Sequence, residues 1–126
     1  MPTITATVQF IFTTPPVVQV SWLGLTSSGD VGNLISYPGI ADKTVQFVGA
    51  SGNTFGASLT VVMRGGMVNS IGVASTLRDA LGANISTSSL QTFAILENPR
   101  YFAPEVTYGA SGLALDVIVI GTAPLY

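Results

Sequence analysis

Alternation of apolar and polar residues at a spacing of two runs through almost the whole chain, and it limits the fold more than any other feature. Ile4, Ala6, Val8, Phe10 and Phe12 alternate with Thr3, Thr5, Thr7 and Gln9, with Ile11 the one exception. Val18, Val20 and Trp22 repeat the pattern against Gln19 and Ser21, as do Val45 and Phe47, and then Leu59, Val61 and Met63. Successive side chains of a strand point to opposite faces, so this spacing predicts half-buried β-strands. Leu113 to Ile120 is apolar on both faces apart from Asp116, the pattern of a strand central in its sheet. No run of ten residues carries a helical period. Thr76-Leu77-Arg78-Asp79 has capping-box spacing, but Gly82 follows so soon that one helical turn or a β-turn is the reading.

Glycine and proline divide these runs. Pro15-Pro16, the loop from Gly24 to Gly32, Pro38-Gly39, Gly49 to Gly56, Gly65-Gly66, Asn98-Pro99 and Tyr108 to Gly112 fall between strands. Pro104 lies inside the run from Arg100 to Thr107 and marks an edge or a bulge. About eight short strands at this spacing predict an all-β chain, a single β-sandwich or jelly-roll-like domain. Residues 15–126 form that domain. Residues 1–14 are either a hairpin partner of Val18, Val20 and Trp22 or a strand arm hinged at the prolines. An exposed strand with one apolar face must add to some sheet. Ile4, Val8, Phe10 and Phe12 are therefore candidate assembly residues.

Composition removes most chemistry. The chain has 126 residues, no cysteine and no histidine. Disulfides, thiolate sites, cysteine nucleophiles and histidine-based triads are excluded. The acids Asp30, Asp42, Asp79, Glu97, Glu105 and Asp116 stand at least eight positions apart, so no local metal loop exists. Gly49-Ala50-Ser51-Gly52 lacks the following helix and the lysine of a phosphate loop. The expectation is a protein that is not an enzyme, with no catalytic, metal or cofactor site. Lys43, Arg64, Arg78 and Arg100 are at least 14 positions apart, which argues against nucleic acid. The apolar runs are too short for a membrane-spanning helix, and the first basic residue is Lys43, so neither membrane insertion nor a secretory leader is expected.

Charged residues make up 8% of the chain, against about 25% in an ordinary soluble domain. Four basic and six acidic side chains cannot dress roughly 6,000 Å² of surface. Either Ser, Thr, Asn and Gln solvate it, or neighbouring subunits cover it. Glu97-Asn98-Pro99-Arg100-Tyr101 is the densest polar cluster, a corner in which Glu97 and Arg100 can pair. Arg and Tyr are favoured interface anchors, so Glu97, Arg100 and Tyr101 join the candidate assembly residues. Trp22, set among alternating apolar neighbours, reads as core. A carbohydrate-binding sandwich is the competing function, with Trp22 and four tyrosines as its whole aromatic supply besides phenylalanine.

Two stretches carry a resemblance. One is Gly29-Asp30-Val31-Gly32 running into Tyr37-Pro38-Gly39-Ile40-Ala41-Asp42-Lys43-Thr44-Val45-Gln46. The other is Leu96-Glu97-Asn98-Pro99-Arg100-Tyr101-Phe102-Ala103-Pro104-Glu105-Val106, followed by Leu113 to Gly121. Together they resemble small all-β virion proteins of tailed bacteriophages, of the capsid decoration or cement type, from about Gly29 to Gly121. The chain departs from that pattern between Arg64 and Ser70. The resemblance implies a β-sandwich that binds the major capsid protein lattice as a homo-oligomer, a trimer in many cases. It places the protein on the capsid exterior after assembly in the host cytoplasm. A tail or fibre subunit fits the same composition.

Overall fold

The computed structural model describes residues 3–13, 16–25, 31–36, 41–49, 60–87, 91–97, 99–108 and 115–122. They form twelve strands, several of only two residues, in two sheets packed as a β-sandwich. The strands are β1 (Thr3–Ile4), β2 (Ala6–Thr13), β3 (Pro16–Leu25), β4 (Val31–Gly32), β5 (Ile35–Ser36) and β6 (Ala41–Gly49). They continue with β7 (Thr60–Gly66), β8 (Ser75–Thr76), β9 (Ser86–Thr87), β10 (Gln91–Ala94), β11 (Tyr101–Tyr108) and β12 (Leu115–Thr122). The helical content among the described residues is one 3₁₀ turn, Ile71–Val73.

One sheet has five strands in the order β10-β6-β12-β3-β2, all antiparallel. The other is built on the β11–β7 pair, flanked by β4, β5 and β1 on one side and by β8 and β9 on the other. Their inner faces hold the core. Val18, Val20, Trp22, Val45, Phe47, Val61, Met63, Leu115, Val117 and Val119 are all fully buried. These are the inward members that the alternation selects; Leu59 falls outside the described residues. Phe102 packs edge-to-face on Trp22 at 5.9 Å, and Phe93 on Phe47 at 6.0 Å. Lys43 shares the inward parity of Val45 and Phe47, and its Nζ sits 5.8 Å from the centre of the Phe102 ring. β12 is central in its sheet, as its apolar sequence predicts, yet only one face is covered: Ile118 is half-buried and Ile120 exposed.

The two open sides of the sandwich close differently. On one side the chain itself crosses between sheets: β1 pairs in parallel with β4, and after Thr5 the same segment becomes β2, the edge of the five-stranded sheet. Asn33 fixes this corner. Its Oδ1 accepts from the Ala6 amide at 2.6 Å, its own amide donates to Ile4 O at 2.9 Å, and its carbonyl accepts from Trp22 Nε1 at 3.1 Å. On the other side, residues 77–85 form a hairpin that bridges β7 to β10 through the Asp79–Ile95 pair. Leu77 and Ile85 plug the core beneath it. Asp79 Oδ1 accepts from the Leu81 and Ala83 amides, and Gly82 takes φ +85°, so the segment with capping-box spacing is a turn.

Three local readings change. Gly24 is not in a loop but is a bulge inside β3: it has φ +80°, and the register with β12 slips there, from Leu23–Asp116 to Leu25–Leu115. The slip returns Leu25 to the core after Leu23 and Gly24 have both faced solvent. A second slip in β2, between Phe10 and Phe12, sets Phe10 opposite Val18 and Phe12 opposite Val17. Pro104 is neither at an edge nor in a bulge, but inside β11 opposite Met63. On the other side of β11, β5 pairs with Tyr101 and Phe102 and β4 with Glu105. Pro104, which has no amide donor, falls in the gap between them.

Candidate functional site

The two sheets present different outer faces. The outer residues of the five-stranded sheet alternate with the core rows and include Thr7, Gln9, Val17, Gln19, Ser21, Leu23, Thr44, Gln46, Val48, Thr92, Ala94, Asp116, Ile118, Ile120 and Thr122. Among those whose side chains are described, Asp116 is the one charged group, and its Oδ1 accepts from the Gly24 amide at 3.0 Å. Gln19 Nε2 donates to Gln9 Oε1 and to Ser21 Oγ across the face. Leu23 and Ile120 stand in the open, 56% and 39% exposed. Among the described side chains the face is sparsely charged, polar and partly apolar.

Lys43 is buried on the inner side of β6, and the remaining described charges lie on the second sheet, on the closing hairpin and in the segment that leads from β10 to β11. On β7 and β11, Arg64 Nε sits 2.8 Å from Glu105 Oε1. This contact is an ion pair and not an aligned hydrogen bond, for the buried Nε–H does not point along it. Arg64 Nη1 donates to Ala74 O. Arg78 joins Glu97, with Nε to Oε2 at 2.8 Å and the Arg78 amide to Oε1 at 2.6 Å. Partial burial works to raise the Glu97 pKa, but the Arg78 amide and guanidinium outweigh it and hold the carboxyl below the ordinary carboxylate range. The corner pairing expected between Glu97 and Arg100 is therefore replaced by a cross-strand one. Arg100 instead lies over the Tyr101 ring, 5.5 Å from its centre.

The candidate assembly residues separate into two groups. Ile4, on β1, is half-buried against the core. Val8 and Phe10, on β2, are 42% and 55% exposed. Both continue the inward rows of Val20 and Val18, yet the opposing sheet does not cover them. For Phe12 the register alone is described. Glu97 follows β10, at the opposite edge of the five-stranded sheet from β2, four strand spacings or about 19 Å away. Arg100 and Tyr101 lie at the start of β11 in the other sheet. Only the β2 group forms an apolar surface. Leu23 and Ile120 belong to the sparsely charged face beside it and escape a periodicity argument, although the doubly apolar β12 already signals a second face awaiting cover.

No group of three or more potential metal ligands gathers among the described residues. A shallow groove of about 250 Å³ lies at the β1–β4 corner, lined by Thr3, Asn33, Leu34, Asn69, Ser70 and Ile71 together with Val31 and Gly32, and no charged side chain enters it. Trp22 is fully buried and is not available as a sugar platform. No helix of the described residues is long and apolar enough to cross a membrane.

No family model and no curated protein matches this chain. Among solved structures it is similar to the SPBc2 prophage-derived protein YomS, at 14% identity and a TM-score of 0.57 over 85% of this chain and 95% of that one. That likeness shows a shared all-β fold. A cupin domain from Bordetella pertussis Tohama I aligns over 98% of this chain and 99% of its own at 13% identity, with a TM-score of 0.37 too low to carry an argument.

Proposed function

We propose that this chain is a non-catalytic structural subunit of a tailed-phage particle, which decorates or cements the capsid by docking on the major capsid protein lattice as a homo-oligomer. The observation that carries this reading is the sparsely charged outer face of the five-stranded sheet, with Leu23 and Ile120 open on it and Asp116 as its one described charge. Among its described side chains, burying this face on a partner desolvates Thr, Gln and Ser groups and one carboxylate, Asp116. Its desolvation penalty is therefore small beside that of a charged face. Each contact is weak, but a homo-oligomer presents several copies to a repeating lattice, and the contacts multiply through effective concentration. The fold shared with a prophage-derived protein supports the same reading.

The four basic residues support the absence of a nucleic-acid partner: Arg64 and Arg78 are in ion pairs, Lys43 is buried and Arg100 covers Tyr101. The burial of Trp22 weakens the carbohydrate-binding alternative.

Gold-labelled antibody against this chain, applied to gradient-purified particles, tests the reading. Label on intact heads is expected, and the double variant Leu23→Glu with Ile120→Glu should lose it while staying folded. Label confined to tails identifies a tail or fibre subunit. Particles free of the protein refute the virion role.

A further inference from the structure

We infer that neighbouring copies of this chain meet head to tail, with the Leu81 tip of one copy's closing hairpin seated in the β1–β4 groove of the next. Leu81 is 94% exposed, the most open of the large apolar side chains described. Its turn is nevertheless fixed. Asp79 Oδ1 accepts from the Leu81 and Ala83 amides at 2.9 and 3.1 Å. The Gly82 amide donates to Asp79 O at 2.9 Å, and the Asp79 amide donates to Ala83 O at 2.7 Å. Leu77 and Ile85 anchor the base of the hairpin in the core, and the Arg78–Glu97 pair holds its flank. An apolar side chain held out on a preorganised turn has little freedom left to lose when a partner covers it.

The groove matches this tip in size, charge and hydrogen bonding. Its volume of about 250 Å³ exceeds the roughly 150 Å³ in which an apolar protein cavity takes up benzene, so the isobutyl group of a leucine fits. Val31, Leu34 and Ile71 give it apolar walls. No charged side chain lines the groove, and none lies between Ala80 and Ala83, so the contact desolvates no ion. With the Leu81, Gly82 and Ala83 amides already bonded to Asp79, the tip offers carbonyls. The groove offers donors in return. Asn33 Oδ1 is engaged by the Ala6 amide, which leaves Nδ2 to donate, and Asn69 and Ser70 stand on the same rim.

A copy cannot fill its own groove. The hairpin bridges β7 to β10, whereas the groove lies at β1 and β4, on the other side of β11. Two different surfaces make a heterologous contact, which runs from copy to copy and does not end at a pair. The orientation rests on the reading above: with the five-stranded sheet laid on the capsid, hairpin and corner lie on opposite flanks of each subunit, in the plane of the lattice. The contact is small and weak between free subunits, and a lattice that holds copies side by side makes it effective.

The natural absence of cysteine makes a direct test possible in solution. Ala80→Cys protein is mixed with Ser70→Cys protein and oxidised with glutathione disulfide, which joins cysteines whose Cα atoms come within about 7 Å. Mixed dimers should form at least about tenfold faster than from Ala80→Cys with Thr7→Cys, whose thiol lies on the outer face of β2. Adding Leu81→Asp to the Ala80→Cys chain should slow them at least about tenfold, the effect of losing one buried leucine. Trp22 emission checks that this variant is folded. A chain carrying both Ala80→Cys and Ser70→Cys should give trimers and larger species where the mixture stops at dimers. Equal rates in the two mixtures, or indifference to Leu81→Asp, overturn the inference. Ala80→Cys protein that cross-links alone as fast as the mixture also overturns it, because tip would then meet tip. Such a failure with label still on heads leaves the virion reading intact. The mixed disulfide together with particles free of the protein refutes the virion reading instead.

Discussion

Replacing Gly32 by alanine tests the corner on which both sheets depend. Its φ lies outside the left-handed region, so the effect is one of space alone. An added Cβ would sit 2.5 Å from Trp22 Cδ1 and Nε1 and 2.7 Å from Pro104 Cδ. Ordinary carbon contacts lie at about 3.5–4.0 Å, so the indole must withdraw by about 1 Å. It has nowhere to go, being fully buried and packed edge-to-face on Phe102 at 5.9 Å. Overpacking of this kind costs about 1–3 kcal/mol. Withdrawal also strains the 3.1 Å bond from Trp22 Nε1 to Asn33 O, worth about 0.5–1.5 kcal/mol. The expected loss is about 2–4 kcal/mol, which at a urea m-value of about 2 kcal/mol/M lowers the unfolding midpoint by about 1–2 M. Trp22 is the single tryptophan, so its emission reports both the transition and the displaced ring. Gly66→Ala is the control: its nearest neighbour would be Ala74 Cα at 3.8 Å, and its stability should hold within about 0.5 kcal/mol. A Gly32→Ala midpoint equal to that of the control, with unchanged emission, would refute the packing described.

Three further outcomes follow from the same geometry. Phe47→Ala removes a fully buried ring that also meets Phe93 edge-to-face, and should cost about 3–5 kcal/mol by urea unfolding; a loss below about 1 kcal/mol means the β6 register is wrong. Gly24→Ala meets nothing within 4 Å but must hold φ +80°, so it should cost about 1–2 kcal/mol from backbone strain alone. The Glu97 carboxyl is depressed on folding, so its contribution is present above the unfolded Glu value near 4.3 and is lost as pH falls through the lower folded value. The pair is partly exposed, so this loss is at most about 1 kcal/mol, and Glu97→Gln should remove it from a stability–pH curve taken below about pH 5.

What the sequence made legible was whatever a local pattern specifies. The alternation places Val45, Phe47, Val61, Val117 and Val119 inward because each strand keeps a period of two wherever its ladder is regular. The readings that changed are non-local. Gly24 becomes a bulge only because β12 continues past it, and a glycine beside Ser and Thr reads equally well as a loop. Pro104 is tolerated inside β11 only because β4 and β5 leave a gap there. Glu97 reaches Arg78, 19 positions back, across the edge that the hairpin closes, where a reader of the chain sees Arg100 three positions ahead. Asn33 has no motif at all: its role at the corner exists once β1, β3 and β4 have come together.

The scarcity of charge acquires a direction in the folded chain. Arg64 and Glu105 neutralise one another on the second sheet, and Arg78 and Glu97 do so where the closing hairpin meets the end of β10, while the described outer face of the five-stranded sheet shows Thr, Gln and Ser, with Leu23 and Ile120 between them and Asp116 as its one charge. A charged outer face would keep the free subunit apart from its neighbours but would carry a heavy desolvation penalty each time the face was buried. A wholly apolar face would bury readily and would aggregate before reaching its partner. A polar face with a single described charge lies between these limits. Its amides and hydroxyls hydrate the free subunit, and on burial they exchange water for partner hydrogen bonds at little net change. The doubly apolar β12 beneath that face, with Ile118 and Ile120 turned outward, then supplies the apolar contact that drives the proposed docking. Strand periodicity and charge content, two independent properties of the chain, thus point to the same surface.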